Sequence, residues 1–475
     1  MQLMSVKRET ICSRRLRFAP PWKDSQLKRL EVTPTPEAIA DSIANDTANR
    51  NDELVDFIKL IDSIEGPYSL LLDAPWGDGK SFFVRSVEEV LKTLNPHISS
   101  PAGNDQKLAR VTKELEDIET PYLPFYFNAW EHDFADDPIS ALFASMAVTF
   151  DSENLTVAHS SRKIIASIVD AALAATPISI RVSDVAEALS GESLISAYEE
   201  RAKLRDLIDE LAERCIVEVA NKLVIIIDEL DRCRPDFAVR LLEQTKSLFQ
   251  NENVFVIISA DSLQLAHATA GLYGDGFDSQ HFIERFFDLR ITLAPTDSYM
   301  VATGEELHDT SHDYDLMKRS LFDAHRLTIR DCARIHEKLV AGRQYCDASG
   351  DGGLAVSVAA CLILPVLIFL ERDDIELFRQ VTRGADFDAL YDYAVRFDAF
   401  SKILDKYLGL IKSEFRTKEV DGISDEERRR YVHSLCVWLF AKKRNSQTFY
   451  EAHSSLGSPR GIDRTVFMTL RFPDE

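Results

Sequence analysis

Four short stretches of consecutive apolar residues punctuate the first 261 positions: YSLLLDA (68–74), LPFYFNAW (123–130), LVIIID (223–228) and VFVIISAD (254–261). Unbroken apolar runs of this length, bounded by polar turns, are the pattern of strands buried on both faces. Between them the spacing changes to threes and fours. Ile39, Ile43, Leu54, Phe57, Ile58 and Ile61 predict helix across 37–64, and AVRLLEQTKSLF (238–249) predicts another. Strands alternating with helices predict an α/β fold with a parallel sheet covered on both faces. After Pro295 no buried strand recurs, and LTIRDCARIHEKLVAG (327–342) opens an α-helical remainder in which Ser424 and Glu427 form a capping box for the helix carrying RRRYV.

These patterns divide the chain into a basic, aperiodic N-terminal arm (1–34), a strand-and-helix domain (35–300) and a helical C-terminal region (301–475). Within the domain, residues 151–195 are rich in Ala and Ser and read as a helical insertion lengthening one crossover. The uncharged run LAVSVAACLILPVLIFL (354–370) is at the lower limit of length for a membrane span, and with Pro365 inside it and RDD just beyond it reads as a buried helix. No stable membrane span is expected.

Composition narrows the function. The chain has 475 residues with 78 acids against 55 Lys plus Arg, a formal charge of −23, which argues against broad nucleic-acid binding through overall charge and leaves a local basic patch open. Seven scattered cysteines indicate neither a zinc site nor a disulfide framework. Together with a first stretch lacking the apolar core of a secretory signal, they imply reduced thiols and a cytoplasmic setting.

The chemistry concentrates at DAPWGDGKS (73–81). A loop joining a buried strand to a helix N-terminus presents backbone amides to phosphate oxygens, and the helix dipole favours the negative charge. Pro75, Trp76, Gly77, Asp78 and Gly79 form such a loop, Lys80 reaches the outer phosphates and Ser81 offers its hydroxyl to Mg²⁺. Ala74 stands where the pattern asks for glycine, and a glycine–lysine–serine turn also arises by chance. The second signal is Asp228 and Glu229 at the end of the LVIIID strand, where one carboxylate serves the metal and the next activates a water. Each alone fits an ordinary turn or helix cap; the two in this order favour a nucleotide site.

PWGDGKS, FNAW (127–130), IIIDELDRCRPDFA (225–238) and FIERFFDLRITL (282–293) together resemble the KAP family of P-loop NTPases, over roughly residues 35–340. The resemblance implies an additional-strand P-loop fold with the acid strand beside the phosphate-loop strand, Mg²⁺ and ATP as ligands, and ATP hydrolysis. It makes Asp228 the metal-side acid and Glu229 the general base. Asp261 matches a sensor position, or else is a strand-end turn residue. Arg285 matches an arginine offered to a neighbouring subunit's nucleotide, or else is a surface arginine. Arg330 matches a second sensor with Arg334 one turn later, or else the two are solvated. Asn128 and Trp130 belong to signature packing near the site. Many family members carry membrane-spanning helices where this chain has 151–195; no adequate span is present there.

Two functional classes follow. The first is an ATPase coupling hydrolysis to conformational change or assembly, as a homo-oligomer or with a protein partner. The second is a nucleotide-dependent binding scaffold with little or no hydrolysis. The resemblance to soluble bacterial members further implies a role in antiphage defence.

Overall fold

Thr35 and Pro36 mark the start of regular structure. In the computed structural model the Thr35 hydroxyl accepts from the Ala38 amide, and Pro36 opens α1 (Pro36–Asn45) at a position where a missing amide hydrogen costs nothing. The structure describes residues 34–98, 103–152, 205–210, 213, 220–274, 276–305, 307, 312–348, 358–414 and 423–440. The N-terminal arm and nearly all of the 151–195 insertion therefore lie outside the described residues.

The helical spacing across 37–64 belongs to two helices rather than one. Asp46 and Asn49 adopt left-handed backbone, φ 48° and 50°, and α2 (Asn51–Ser63) starts afresh. Asp and Asn tolerate this region better than other side-chain-bearing residues. The Asp46 carboxylate also accepts from the amides of Arg50 at 3.0 Å and Asn51 at 3.2 Å, so the break is capped as it is made.

Five parallel strands follow among the described residues: β1 (Tyr68–Asp73), β2 (Tyr122–Asn128), β3 (Lys222–Asp228), β4 (Val254–Ala260) and β5 (Leu289–Thr292). Their spatial order is β2-β3-β4-β1-β5. The expected adjacency of acid strand and phosphate-loop strand does not hold. β4 pairs with β3 from Leu223↔Val254 and with β1 from Tyr68↔Phe255, while β5 takes the other edge of β1, so β1 has no free edge for β3. The loop after β1 and the acids ending β3 lie at the same edge of the sheet, two strand spacings or about 10 Å apart. That gap can admit phosphates and a hydrated cation between them.

Side chains alternate across the sheet and build two cores. Leu71, Ile225, Ile227, Val256 and Ile258 pack with residues of α5 (Pro138–Ser152) and α6 (Pro235–Leu248). Leu70, Leu72, Val224, Ile226 and Ile257 pack with α1, α2, and the later helices α3 (Lys80–Leu94) and α4 (Asn104–Lys113). The result is a three-layer α/β/α sandwich of P-loop type. Beyond β4 come α7 (Ser262–Tyr273) and α8 (Ser279–Glu284); beyond β5 come α9 (Ser298–Thr303), α10 (Asp313–Ala324) and α11 (Ile329–Ala348).

The chain divides into two compact units, the first running from Glu31 to Arg334. The second is helical throughout its described residues. In it, residues 358–370 of the long apolar run are buried, and among the described residues no helix is long and apolar enough to cross a membrane. A π-helical turn (Ala359–Ile363) precedes α12 (Leu364–Asp373), as expected where Pro365 lacks an amide hydrogen and its ring presses on the carbonyl four residues back. The capping box is present: the Ser424 amide donates to Glu427 Oε2 at 2.9 Å, and the Glu427 amide to Ser424 Oγ at 3.3 Å.

Candidate functional site

The phosphate loop is built from two glycines with left-handed backbone, Gly77 at φ 94° and Gly79 at φ 86°, and Gly79 is the residue from which α3 springs. Ala74 is buried just past the end of β1. Lys80 lies in the first turn of α3 and bends back, its ammonium donating to the carbonyls of Ala74 and, at 3.2 Å, Pro75. Burial pulls its pKa down, against the opposing pull of Asp231, Asp261, Asp228 and Asp73. Ser81 follows it in the same turn.

Several groups outside the loop hold it in shape. Arg50, buried just ahead of α2, donates to the Asp78 carbonyl at 3.0 Å and the Ala294 carbonyl at 3.1 Å. At the start of α11, the Arg330 amide donates to the Gly77 carbonyl at 3.2 Å. Trp76 donates its indole N–H to the Asp231 carboxylate. Burial raises the Asp78 carboxyl's pKa, Arg50 and Lys80 opposing.

One strand spacing beyond β4, Asp228 is 1% exposed. Its Oδ2 accepts from the Tyr126 hydroxyl at 2.9 Å, and its Oδ1 meets no donor. Asp228 shares its sheet face with Val224 and Ile226, the face on which α3 packs. A buried carboxylate oxygen without a donor is costly, and the water shell of a cation is a natural partner for it. One carboxylate and one hydroxyl, with other positions left to water and phosphate, suit Mg²⁺, so Asp228 and Ser81 fit that ion.

Glu229 turns the chain out of β3 with left-handed backbone, φ 59°. Its Oε2 accepts from Asn128 Nδ2 at 3.3 Å and its Oε1 pairs with Arg232 at 3.0 Å. Burial raises its pKa, with Arg232 pulling the other way. Asn128 is itself held by the amides of Trp130 and Glu131, which donate to its Oδ1. Trp130 is 51% exposed with the Arg232 guanidinium over its ring, so it covers the acid turn from outside instead of filling a core.

The remaining sequence candidates are spread around this centre. Asp261 follows β4 directly and caps α7, accepting from the amides of Leu263 and Gln264. Arg285 is exposed at the end of α8, its guanidinium 5.0 Å from the centre of the Phe282 ring. Arg330 reaches the phosphate loop through its backbone, whereas Arg334 is exposed one turn later. Sequence reasoning missed Arg50 and Asp231. For Arg50 no signal exists, because it is 28 residues from the carbonyl it holds. Asp231 was visible as the third acid of DELDRC, with nothing to say where it points.

A three-layer parallel sheet with a glycine-rich loop between β1 and α3, facing a buried acid one strand removed, defines a P-loop nucleotide-binding core. The model of the KAP family P-loop domain matches residues 50–313, more than half of the chain, and the chain belongs to that family. No curated protein matches it. Among solved structures it is similar to C. elegans PCH-2, at 13% identity over 84% of this chain and 72% of that one with a TM-score of 0.24. It is also similar to the Aeropyrum pernix ORC1 protein in complex with DNA, at 14% identity over 87% and 94% of the two chains with a TM-score of 0.28.

Proposed function

We propose that this protein binds ATP with Mg²⁺ and hydrolyses it in the cytoplasm, coupling the cycle to a conformational change or to assembly with further copies or a protein partner. The observation that carries this reading is the donorless Oδ1 of buried Asp228 on the sheet face where α3 and Lys80 begin. The amides of Gly77 to Lys80 and the α3 dipole hold the phosphates, and Lys80 exchanges the carbonyls of Ala74 and Pro75 for a phosphate oxygen. Ser81 and Asp228 would hold Mg²⁺. Bound there, the ion neutralises charge on the outer phosphate oxygens. Glu229 takes the proton of the attacking water, a role its raised pKa favours.

Asp261 serves as the sensor of that water, Arg330 as a second sensor, and exposed Arg285 as an arginine for the site of a neighbouring copy. A scaffold that binds nucleotide with little turnover is the second reading. It is favoured by the state of Glu229, whose two oxygens are both engaged, by Asn128 and Arg232. A place in antiphage defence rests on the family resemblance alone.

Steady-state ATP hydrolysis with Mg²⁺, measured beside nucleotide titrations, tests the proposal in wild type, Lys80→Ala and Glu229→Gln. Turnover lost in both variants with binding kept in Glu229→Gln supports the ATPase. Binding without turnover in wild type selects the scaffold, and absence of binding overturns both.

A further inference from the structure

Asp231 sits two residues past the proposed base, and one of its oxygens joins three segments of the site. Oδ2 accepts from the indole N–H of Trp76 in the phosphate loop and, at 2.9 Å, from the amide of Asp261 directly after β4. The carboxylate itself belongs to the acid turn after β3. Loop, acid turn and the residue after β4 are thus drawn to a single carboxylate oxygen.

The state of Trp76 shows what the indole contributes. An indole present for packing is buried, but Trp76 is 46% exposed while its polar N–H is spent on Asp231. Phenylalanine would supply an aromatic ring at the same place without a donor. What distinguishes tryptophan here is the donor.

The other restraints on the loop differ in kind. Arg50 and the Arg330 amide hold the carbonyls of Asp78 and Gly77, toward the helix end of the loop. At the strand end, the Ala74 and Pro75 carbonyls are held by Lys80, which must leave them to meet a phosphate. When it leaves, the Asp78 amide still donates to the Pro75 carbonyl at 3.4 Å, and the Trp76 side chain is what ties that end to the rest of the site.

Resting on the nucleotide reading above, we propose that Trp76 and Asp231 form a tie that keeps the phosphate loop in its phosphate-accepting shape once Lys80 is withdrawn from the loop carbonyls. Asp231 is a positioning residue that acts through Trp76 and touches no nucleotide. The tie matters for the bound state, so its loss weakens nucleotide binding more than it weakens the fold.

The test is a double-mutant cycle on the full chain, with a non-hydrolysable ATP analogue and Mg²⁺ as the probe, read by calorimetric titration. Trp76→Phe and Asp231→Ala each weaken binding roughly tenfold, as expected for a hydrogen bond to a charged group. The double variant binds no worse than the weaker single one, because the two changes break the same bond. Asp231→Asn, which keeps an acceptor oxygen, recovers most of the Asp231→Ala loss when Trp76 is present and none of it in Trp76→Phe. The nucleotide-free melting temperature of Trp76→Phe stays at the wild-type value.

Additive losses, or unchanged affinity in Trp76→Phe, overturn the tie while leaving the nucleotide reading intact. Failure of the wild-type chain to bind the analogue overturns that reading and the tie with it. If Asp231→Ala does not fold, Trp76→Phe decides alone: unchanged affinity overturns the tie, and a tenfold loss at an unchanged melting temperature upholds it.

Discussion

Replacing Gly77 by alanine tests the reading of the phosphate loop with a magnitude taken from its geometry. At φ 94° any L side chain is strained, at a cost of roughly 1–2 kcal/mol. The added Cβ would also stand 2.7 Å from Thr328 Oγ1, 3.0 Å from Arg330 Cβ and 3.2 Å from Thr328 Cβ. Overpacking of this kind adds about 1–3 kcal/mol. Gly79 is the control, because its φ of 86° carries the same strain while its Cβ would meet Arg50 Nη1 and Ile329 Cδ1 at an ordinary 3.5 Å. Gly77→Ala is therefore expected to cost about 2–5 kcal/mol and Gly79→Ala about 1–2 kcal/mol. At roughly 2 °C per kcal/mol for a unit of this size, thermal unfolding of the nucleotide-free chain followed by circular dichroism separates the two. Gly77→Ala should cost less in a Thr328→Ala background than in wild type, since the nearest atom is then gone; Thr328→Ala alone is the reference, because that hydroxyl also accepts from the Asp331 amide at 3.2 Å. Equal shifts, or a larger one for Gly79→Ala, would refute the argument that α11 closes on the loop.

Further outcomes follow from the same site. Glu229→Gln should lower turnover by ~10²-fold or more while nucleotide affinity is kept, as removal of a general base does. In the nucleotide- and Mg²⁺-free chain the Glu229 carboxyl should titrate above the range of an ordinary carboxylate, because burial raises its pKa; an NMR titration placing it in the usual range would contradict this. Asp231 has a pKa raised by burial, so the folded state holds its proton more tightly than the unfolded state does. Its contribution to stability is present below the unfolded pKa and is lost as pH rises through the folded one. Asp231→Asn should accordingly melt above wild type near neutral pH, with the gap closing toward pH ~4. Phe125→Ala, on a fully buried β2 position, should cost about 3–5 kcal/mol in the same melt.

β1 to β4 were legible because they are buried on both faces, and a short apolar run such as LVIIID bounded by polar turns has few other uses. β5 was harder: its four residues alternate between partly buried and exposed, so it carries no such run and surfaced only through FIERFFDLRITL. The order of the strands was not legible, since burial pattern says nothing of which edge a strand takes. The break between α1 and α2 escaped because spacing of apolar residues can persist across a short turn, and only the left-handed backbone at Asp46 and Asn49 reveals it. At the site, Lys80, Asp228 and Glu229 were readable because their chemistry ties them to a loop or strand end. Arg50 was not, since its role is to hold two distant backbone carbonyls, and any arginine brought there by α2 could do so.

The backbone at Glu229 links the sheet to the chemistry. β3 must run apolar to its last residue to stay buried, and then deliver two consecutive acids to different places. Asp228 remains in the strand and faces α3. A residue continuing in extended conformation would point to the opposite face, toward the core that holds Ile225 and Ile227. A carboxylate there would be buried among aliphatic side chains. The left-handed turn at Glu229 avoids this by swinging the chain into the short helical turn Leu230–Arg232, so that the carboxylate meets Asn128 and Arg232 while Leu230 takes the place in that core. Strain of roughly 1–3 kcal/mol at a residue other than glycine is thus what sends the carboxylates of Asp228 and Glu229 to different places. The same turn brings Asp231 around to Trp76, so the geometry that places Glu229 also closes the acid turn onto the phosphate loop.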